Sequence, residues 1–331
     1  TNTPHPSLAP FYGMMQYHLG WTDAGFQPTH APTGKRLRPL FCLLACQAAG
    51  GDPKQALPAA AAVELLHNFS LIHDDIEDNS PTRRHRPTVW SVWGVPQAIN
   101  TGDGMFALAY LTLSRLACTG VPQRLILPAI NAFQEACLTL TEGQFLDMDF
   151  ETRFEIDLDD YLWMIQGKTA MLLATSTRLG ALLAGAETET VAAFREFGGS
   201  VGMAFQIQDD LLGIWGDEAL TGKPTASDII QRKKTLPLVY ALQELRRAGR
   251  HAELSRLQAI YASPTVAHEA IGEVLAALDS VKARSFCEDQ VLFYQEQALD
   301  HLRRASRPAC ADHQAIQWLR ELALSLIGRQ A

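Results

Sequence analysis

The sequence lacks several features at once, and each absence closes off a class of protein. No uninterrupted run of about 18 apolar residues occurs, so no segment reads as a membrane span. No basic stretch followed by an apolar core opens the chain, so its start does not read as a leader. Basic residues are in deficit: 28 Lys and Arg stand against 36 Asp and Glu, a net charge of -8. The clustered positive excess of a nucleic-acid binder is therefore missing. The cysteines, Cys42, Cys46, Cys118, Cys137, Cys287 and Cys310, form no CxxC pair and no dense even spacing. That pattern argues against a disulfide framework or a zinc site and reads as reduced core thiols of a cytoplasmic protein. No G-x-x-x-x-G-K-[ST] occurs, which excludes a P-loop nucleotide site. Strand-like alternation is almost absent, no repeat recurs at a fixed period, and no flexible linker follows the Pro-rich start at 1–39.

What remains is a chain of 331 residues, 47% hydrophobic and 19% charged, able to bury a large core. It reads as one unit spanning 1–331. Apolar residues recur at helical spacing over Pro58–Asp78, Leu125–Asp149, Leu158–Ala184 and Thr190–Ile214. Pro58 suits a first helical turn, and the run Ala59–Ala62 that follows it favours a long, mostly buried helix. Asp157, Asp159 and Asp160 suit an N-cap and the positive end of a helix dipole.

The sharpest feature is HDDIED at His73–Asp78. Asp74 and Asp78 lie four residues apart and share a helix face, with Asp75 beside them. Such a cluster is either an acidic, solvated helix end or an oxygen site for a hard cation such as Mg²⁺. The apolar residues before it, Phe69, Leu71 and Ile72, put the carboxylates at the end of a buried helix and favour the cation. A second acidic helix, FQIQDDLLG, places Gln206, Asp209 and Asp210 on one face. Alone it is a weak signal; two acidic helices in one apolar chain suggest a shared site.

Basic clusters accompany them: Lys35, Arg36 and Arg38; Arg83, Arg84 and Arg86; Lys223, Lys233 and Lys234. Each follows a turn signal and could be a solvated loop. Beside the carboxylates, however, they imply a polyphosphate ligand, because Arg forks grip phosphate oxygens and Mg²⁺ bridges carboxylate to diphosphate. His67 lies two turns before Asp74 on the same helix face and can share that pocket.

The ordered series GKRLRP, ELLHNFSLIHDDIEDNSPTRRHRPT, EGQFLDMDF, GKTA, FQIQDDLLGIWGD, TGKP and SDIIQRKKTLP, within about 30–240, resembles the trans-prenyl diphosphate synthases. These are the farnesyl and geranylgeranyl diphosphate synthase family. The resemblance implies an all-α, antiparallel helical bundle around a deep central cavity, a homodimer, and head-to-tail coupling of isopentenyl diphosphate to an allylic diphosphate. By motif, Asp74, Asp75 and Asp78 would hold two Mg²⁺ ions, and Asp209 with Asp210 a third, Mn²⁺ being a possible substitute. Lys35, Arg38, His67 and Arg84 match positions that bind isopentenyl diphosphate. Arg83, Lys168, Lys223 and Lys233 match those that grip the allylic diphosphate, and Thr169 and Gln206 those that line the reacting carbons. The Gly167-Lys168 pair could loosen its helix and expose a carbonyl.

The chain departs from that pattern twice. Gly213 stands where the second motif's last Asp belongs, and His85 where a glycine turn is usual. We expect Gly213→Asp to alter Mg²⁺ dependence without being needed for activity, Asp217 or Asp228 compensating. The resemblance leaves room for a class I terpene cyclase or a non-catalytic subunit of a heteromeric synthase; GKRLRP and Arg84 argue against the cyclase, and only Gly213 favours the subunit. Phe69 and Ser70, five and four residues before Asp74, sit where the family limits chain length. A bulky Phe69 with a small Ser70 resembles synthases that stop at geranylgeranyl diphosphate, with farnesyl diphosphate the runner-up.

Overall fold

The computed structural model describes residues 5–32, 34–217, 225–307 and 311–328, and they are overwhelmingly helical. Helices α1 (Ala9–His18), α2 (Leu37–Ala48) and α3 (Leu57–Glu77) lead to a two-rung antiparallel hairpin, β1 (Thr82–Arg83) against β2 (Arg86–Pro87). Then come α4 (Val89–Trp93), α5 (Val95–Ser114), α6 (Gln123–Thr152), α7 (Leu158–Ile165), α8 (Met171–Leu183) and α9 (Thr188–Trp215). The helical turn α10 (Ser227–Ile230) precedes α11 (Leu236–Arg247), α12 (His251–Ala262), α13 (His268–Ser280), α14 (Ala283–Ala305) and α15 (His313–Ile327).

The long helices follow from their composition. Pro58 enters α3 in its first turn, where its missing N–H costs nothing, and the alanines after it lose no side-chain entropy on ordering. Asp157 caps the start of α7 in extended backbone, with Asp159 and Asp160 in the first turn, although its carboxylate makes no capping hydrogen bond. The stretch read as one helix over Leu158–Ala184 is instead interrupted by a π-helical segment at Gln166–Ala170. Such bulges mark functional sites often enough to direct attention there.

The helices bury their apolar faces in adjoining clusters. One gathers Leu66 of α3, Leu113 of α5, Phe133 of α6 and Leu179 of α8. A second joins Phe41 of α2, Phe194 and Phe197 of α9, Leu302 of α14 and Leu319 of α15. A third packs the π segment and α7 against α9 and α14. Cys42, Cys46, Cys137 and Cys287 are buried and unpaired, whereas Cys118 is exposed, because it closes a surface turn rather than a core face.

Candidate active site

The acidic end of α3, the π segment and α9 meet across one mouth. Lys168, in the π segment, lies 2.5 Å from Asp147 of α6 and 4.0 Å from Asp74. The backbones here pack without intervening side chains: a Cβ on Gly143 would collide with the amide of Lys168, and one on Gly167 would fall 2.8 Å from the Thr139 carbonyl. The Gly167-Lys168 pair thus does break the regular helix, and the break turns the lysine toward the carboxylates.

Asp74 is half-buried, and burial pushes its carboxyl up to about 6 against the pull of Lys168. Asp75 is 1% exposed; Arg83 Nε donates to its Oδ1 at 2.7 Å, while Oδ2 is buried without a hydrogen-bond partner. Burial raises its pKa too, the Arg83 charge opposing. Asp78 closes the helix as an exposed C-cap. A desolvated carboxylate and an orphaned buried oxygen beside it are the donors a hard cation satisfies, so these residues fit a divalent ion. Among the described residues, no three His, Cys, Asp or Glu side chains form a complete cation site. Ions here would take further ligands from a bound phosphate, as Mg²⁺ commonly does.

On α9, the two acids of QDD part company. Asp210 is 3% exposed and its oxygens are engaged: Tyr161 donates to Oδ2 at 2.5 Å, the Leu236 amide to Oδ2 at 3.1 Å, and Gln206 to Oδ1 at 3.0 Å. Burial nevertheless pushes its carboxyl up to about 7, those donors pulling the other way. Asp209 remains half-buried. Thr169 donates to Gln206 Oε1 at 2.8 Å, so Asp210, Gln206 and Thr169 form one chain of bonds from the core to the π segment.

A second, cationic pocket lies two turns back along the same face of α3. His67 is surrounded by Arg38, Arg84, Arg83 and His18, and burial, reinforced by those charges, holds it neutral, well below the usual histidine range. Burial also lowers Arg38 to about 10, with Glu64 as the nearby carboxylate opposing the shift, and leaves its Nε without a partner. Arg84 is likewise lowered by burial and by Arg83. The unpartnered Nε of Arg38, with the Arg84 guanidinium beside the same histidine, is what an incoming diphosphate would satisfy. Lys35 and Lys233 are exposed, while Lys223 lies outside the described residues.

His18 and Asn68 carried no signal in the sequence. His18, at the end of α1, has a buried Nε2 without a partner and is driven to about 3 by burial and the charges of Arg83 and Arg84. Asn68 donates to the Glu64 carboxylate at 3.1 Å. Lys234 donates to the carbonyls of Phe150 and Glu151, at 2.5 and 2.6 Å, and so anchors the loop bearing Lys233 to the end of α6. Deeper along α3, Phe69 packs on His73 and on Phe106 of α5, and the Ser70 hydroxyl turns back to the His67 carbonyl at 2.9 Å.

Two acid-bearing helices, a desolvated lysine and a buried arginine pocket around an apolar interior define an enzyme for polyphosphate chemistry on an apolar substrate. A polyprenyl synthetase family model matches residues 21–278. The chain is 41% identical over 322 residues, 96% of its length and 86% of the relative's, to a (2E,6E)-farnesyl diphosphate synthase of Mycobacterium tuberculosis. It is 46% identical over 255 residues, 77% of its length and 70% of the relative's, to a geranylgeranyl diphosphate synthase of the same organism. A polyprenyl synthetase structure from Streptomyces coelicolor superposes with a TM-score of 0.87 at 34% identity, covering 96% of this chain and 92% of that one. The chain belongs to the polyprenyl synthetase family, and it is a short-chain prenyltransferase. Enzymes of this family depend on a divalent metal. No helix among the described residues is long and apolar enough to cross a membrane.

Proposed function

We propose that this chain joins isopentenyl diphosphate head to tail to dimethylallyl, geranyl and farnesyl diphosphates in turn, and that it releases geranylgeranyl diphosphate. The observation that carries the reading is the division of α3: Asp74 and Asp78 address one pocket, the Arg38–His67–Arg84 cluster another, and an aromatic interior lies beneath both. Lys168, Arg83 and Lys233, with Lys223, grip the allylic diphosphate; Lys168 exchanges its Asp147 partner for phosphate oxygen on binding. Mg²⁺ held by Asp74, Asp78 and Asp209, with Asp75 behind them, would add positive charge against the departing diphosphate. Lys35, Arg38 and Arg84 hold isopentenyl diphosphate, and the neutral His67 ring offers it a hydrogen bond rather than another charge. Asp210, committed to Tyr161 and Leu236, acts as a positioning residue that orients Gln206 and Thr169 toward the reacting carbons. Apolar walls keep water from the allylic cation.

Exposed apolar residues support a homodimer. Leu127, Leu138 and Phe145, each more than 60% exposed, fall at seven- and eleven-residue spacing on one face of α6, and Trp163 of α7 extends the patch. A cytoplasmic location fits the unpaired cysteines. Incubating the purified protein with isopentenyl diphosphate, dimethylallyl diphosphate and Mg²⁺, then sizing the product, tests the reading; absence of any prenyl diphosphate overturns it. The second reading, farnesyl diphosphate as product, is favoured by the relative matched over 96% of the chain, and the same assay separates the two.

A further inference from the structure

We propose that α1 and the loop after it position the arginine hairpin for isopentenyl diphosphate, through a latch between Arg86 and Tyr17; this rests on the condensation reading above. Arg86 of β2 stands opposite Arg83 of β1 in the hairpin register. Its guanidinium donates from Nη1 to the Tyr17 carbonyl at 3.0 Å and from Nη2 to the Thr22 carbonyl at 2.9 Å, and it lies over the Tyr17 ring, 4.1 Å from the centroid. Tyr17 answers from its other end, where the hydroxyl donates to the Pro87 carbonyl at 2.8 Å. The Tyr17 ring is buried and meets Trp93 of α4 edge-on, and Trp93 in turn stacks on Phe26 of the loop. A cation at the carbonyl end of α1 also complements the helix dipole. Strand β2 is therefore fastened to α1 by charge, hydrogen bonds and ring packing together.

The arginines of the hairpin are restrained differently. Arg83 is fixed by Asp75 at 2.7 Å, and Arg86 by the α1 carbonyls. Arg84, in the turn between them, lies against the backbone of Gly34, where a Cβ would fall 2.7 Å from its Nη2. The chain leading to Gly34 is itself tied back to the end of α1: the Ala31 amide donates to the Gly20 carbonyl at 3.2 Å and the Thr29 amide to the Trp21 carbonyl at 2.8 Å. One segment thus holds the base of the hairpin and backs its tip. It reaches the cationic pocket directly as well, because His18, next to Tyr17, has its Nε2 buried among the charges of Arg83, Arg84 and Arg86, with Asn68 beside the ring. Without the latch, β2 loses its outer restraint and Arg84 its place, whereas Arg83 keeps Asp75. The loss should therefore fall on the substrate held by Arg84 and spare the one gripped by Arg83.

The test compares Arg86→Gln with the wild type in kcat, in KM for each substrate, in calorimetric binding of isopentenyl diphosphate alone and in melting temperature. KM and Kd for isopentenyl diphosphate are expected to rise about tenfold, as for a phosphate-gripping guanidinium that loses its alignment. KM for the allylic diphosphate should stay within about twofold and kcat at saturation should be kept, the mark of lost binding to one substrate rather than lost chemistry. A lower melting temperature with both KM values unchanged would make the latch a fold contact only and overturn the inference while the function stands. An equal rise in both KM values would overturn it too, since Arg83 would then move with Arg84. Should Arg86→Gln fail to fold, Arg86→Lys keeps the charge but not the fork across two carbonyls, and binding of isopentenyl diphosphate about threefold weaker is expected; an unchanged Kd overturns the inference. A wild type that makes no prenyl diphosphate overturns the function and the inference together.

Discussion

The carboxylate of Asp228 occupies the space in which a side chain at Gly213 would begin: a Cβ built on Gly213 would fall inside it, 2.9 Å from even its farther oxygen. Asp228 is buried, and its neighbour Ser227 donates to the Gly213 carbonyl at 3.3 Å, so α10 is pressed directly against α9. The position where the second acidic motif lacks its last carboxylate thus has one delivered from another element.

This contact changes what is expected of Gly213→Asp. Rather than merely altering Mg²⁺ dependence, the substitution forces a second carboxylate into occupied space. Gly213→Ala alone is expected to cost about 1–3 kcal/mol by overpacking, and Gly213→Asp more through like-charge repulsion. In an Asp228→Gly background the cost of Gly213→Ala should largely vanish. Urea denaturation of the four proteins in this cycle gives the coupling; additive effects would show that the two residues do not meet.

Asp74→Asn is expected to abolish turnover while leaving the fold intact, and Asp78→Ala likewise. Asp74 is desolvated enough to titrate near 6, so neutralising it removes a buried charge, and Lys168 keeps Asp147 as its partner. The melting temperature should hold or rise. Several kcal/mol of charge stabilisation depend on the metal ligands, which corresponds to a loss of at least about a hundredfold in kcat. Activity near the wild type in either variant would sink the ligand assignment.

Much of this arrangement was legible in the sequence because helical side chains a fixed spacing apart must share a face. Asp74 with Asp78, and His67 two turns before them, needed only the helical repeat, and Gly167-Lys168 marked the π segment through the conformational weakness of glycine. What stayed hidden was whatever depends on contacts between distant elements. Asp209 and Asp210 are chemically identical neighbours, and only the arrival of Tyr161 and the Leu236 amide makes one of them a buried anchor. His18 enters the cationic pocket from α1, and Asp228 reaches Gly213 from α10; no local pattern announces such meetings.

Tyr161→Phe tests the anchor. It deletes one of the donors to the buried Asp210 carboxylate without touching the mouth, leaving Gln206 and the Leu236 amide in place. An under-bonded buried carboxylate costs about 1–3 kcal/mol, readable by chemical denaturation. Because Gln206 and Thr169 hang on the same chain of bonds, kcat should fall several-fold with KM for isopentenyl diphosphate little changed. A fall in stability with kcat untouched would confine Asp210 to the core.

The hairpin that carries Arg83 and Arg84 holds strain that one substitution can relieve. Arg84 and His85 form its two-residue turn with φ of 52° and 61°, both left-handed, between β1 and β2. Two-residue turns of this kind favour Asn-Gly, since a Cβ in the left-handed region costs about 1–2 kcal/mol. Exchanging Arg84 would remove a guanidinium from the cationic pocket, but His85 is exposed. His85→Gly recovers the steric cost and gives back part of it as extra chain entropy in the unfolded state, about 0.4–1 kcal/mol. The net expectation is a gain of about 0.5–1 kcal/mol, an upward shift in melting temperature, and turnover within about twofold of the wild type because both arginines keep their places. A stability loss would mean that the imidazole supports the turn. A large change in KM for isopentenyl diphosphate with stability unchanged would mean instead that the strained backbone, not only the side chain, sets where Arg84 points.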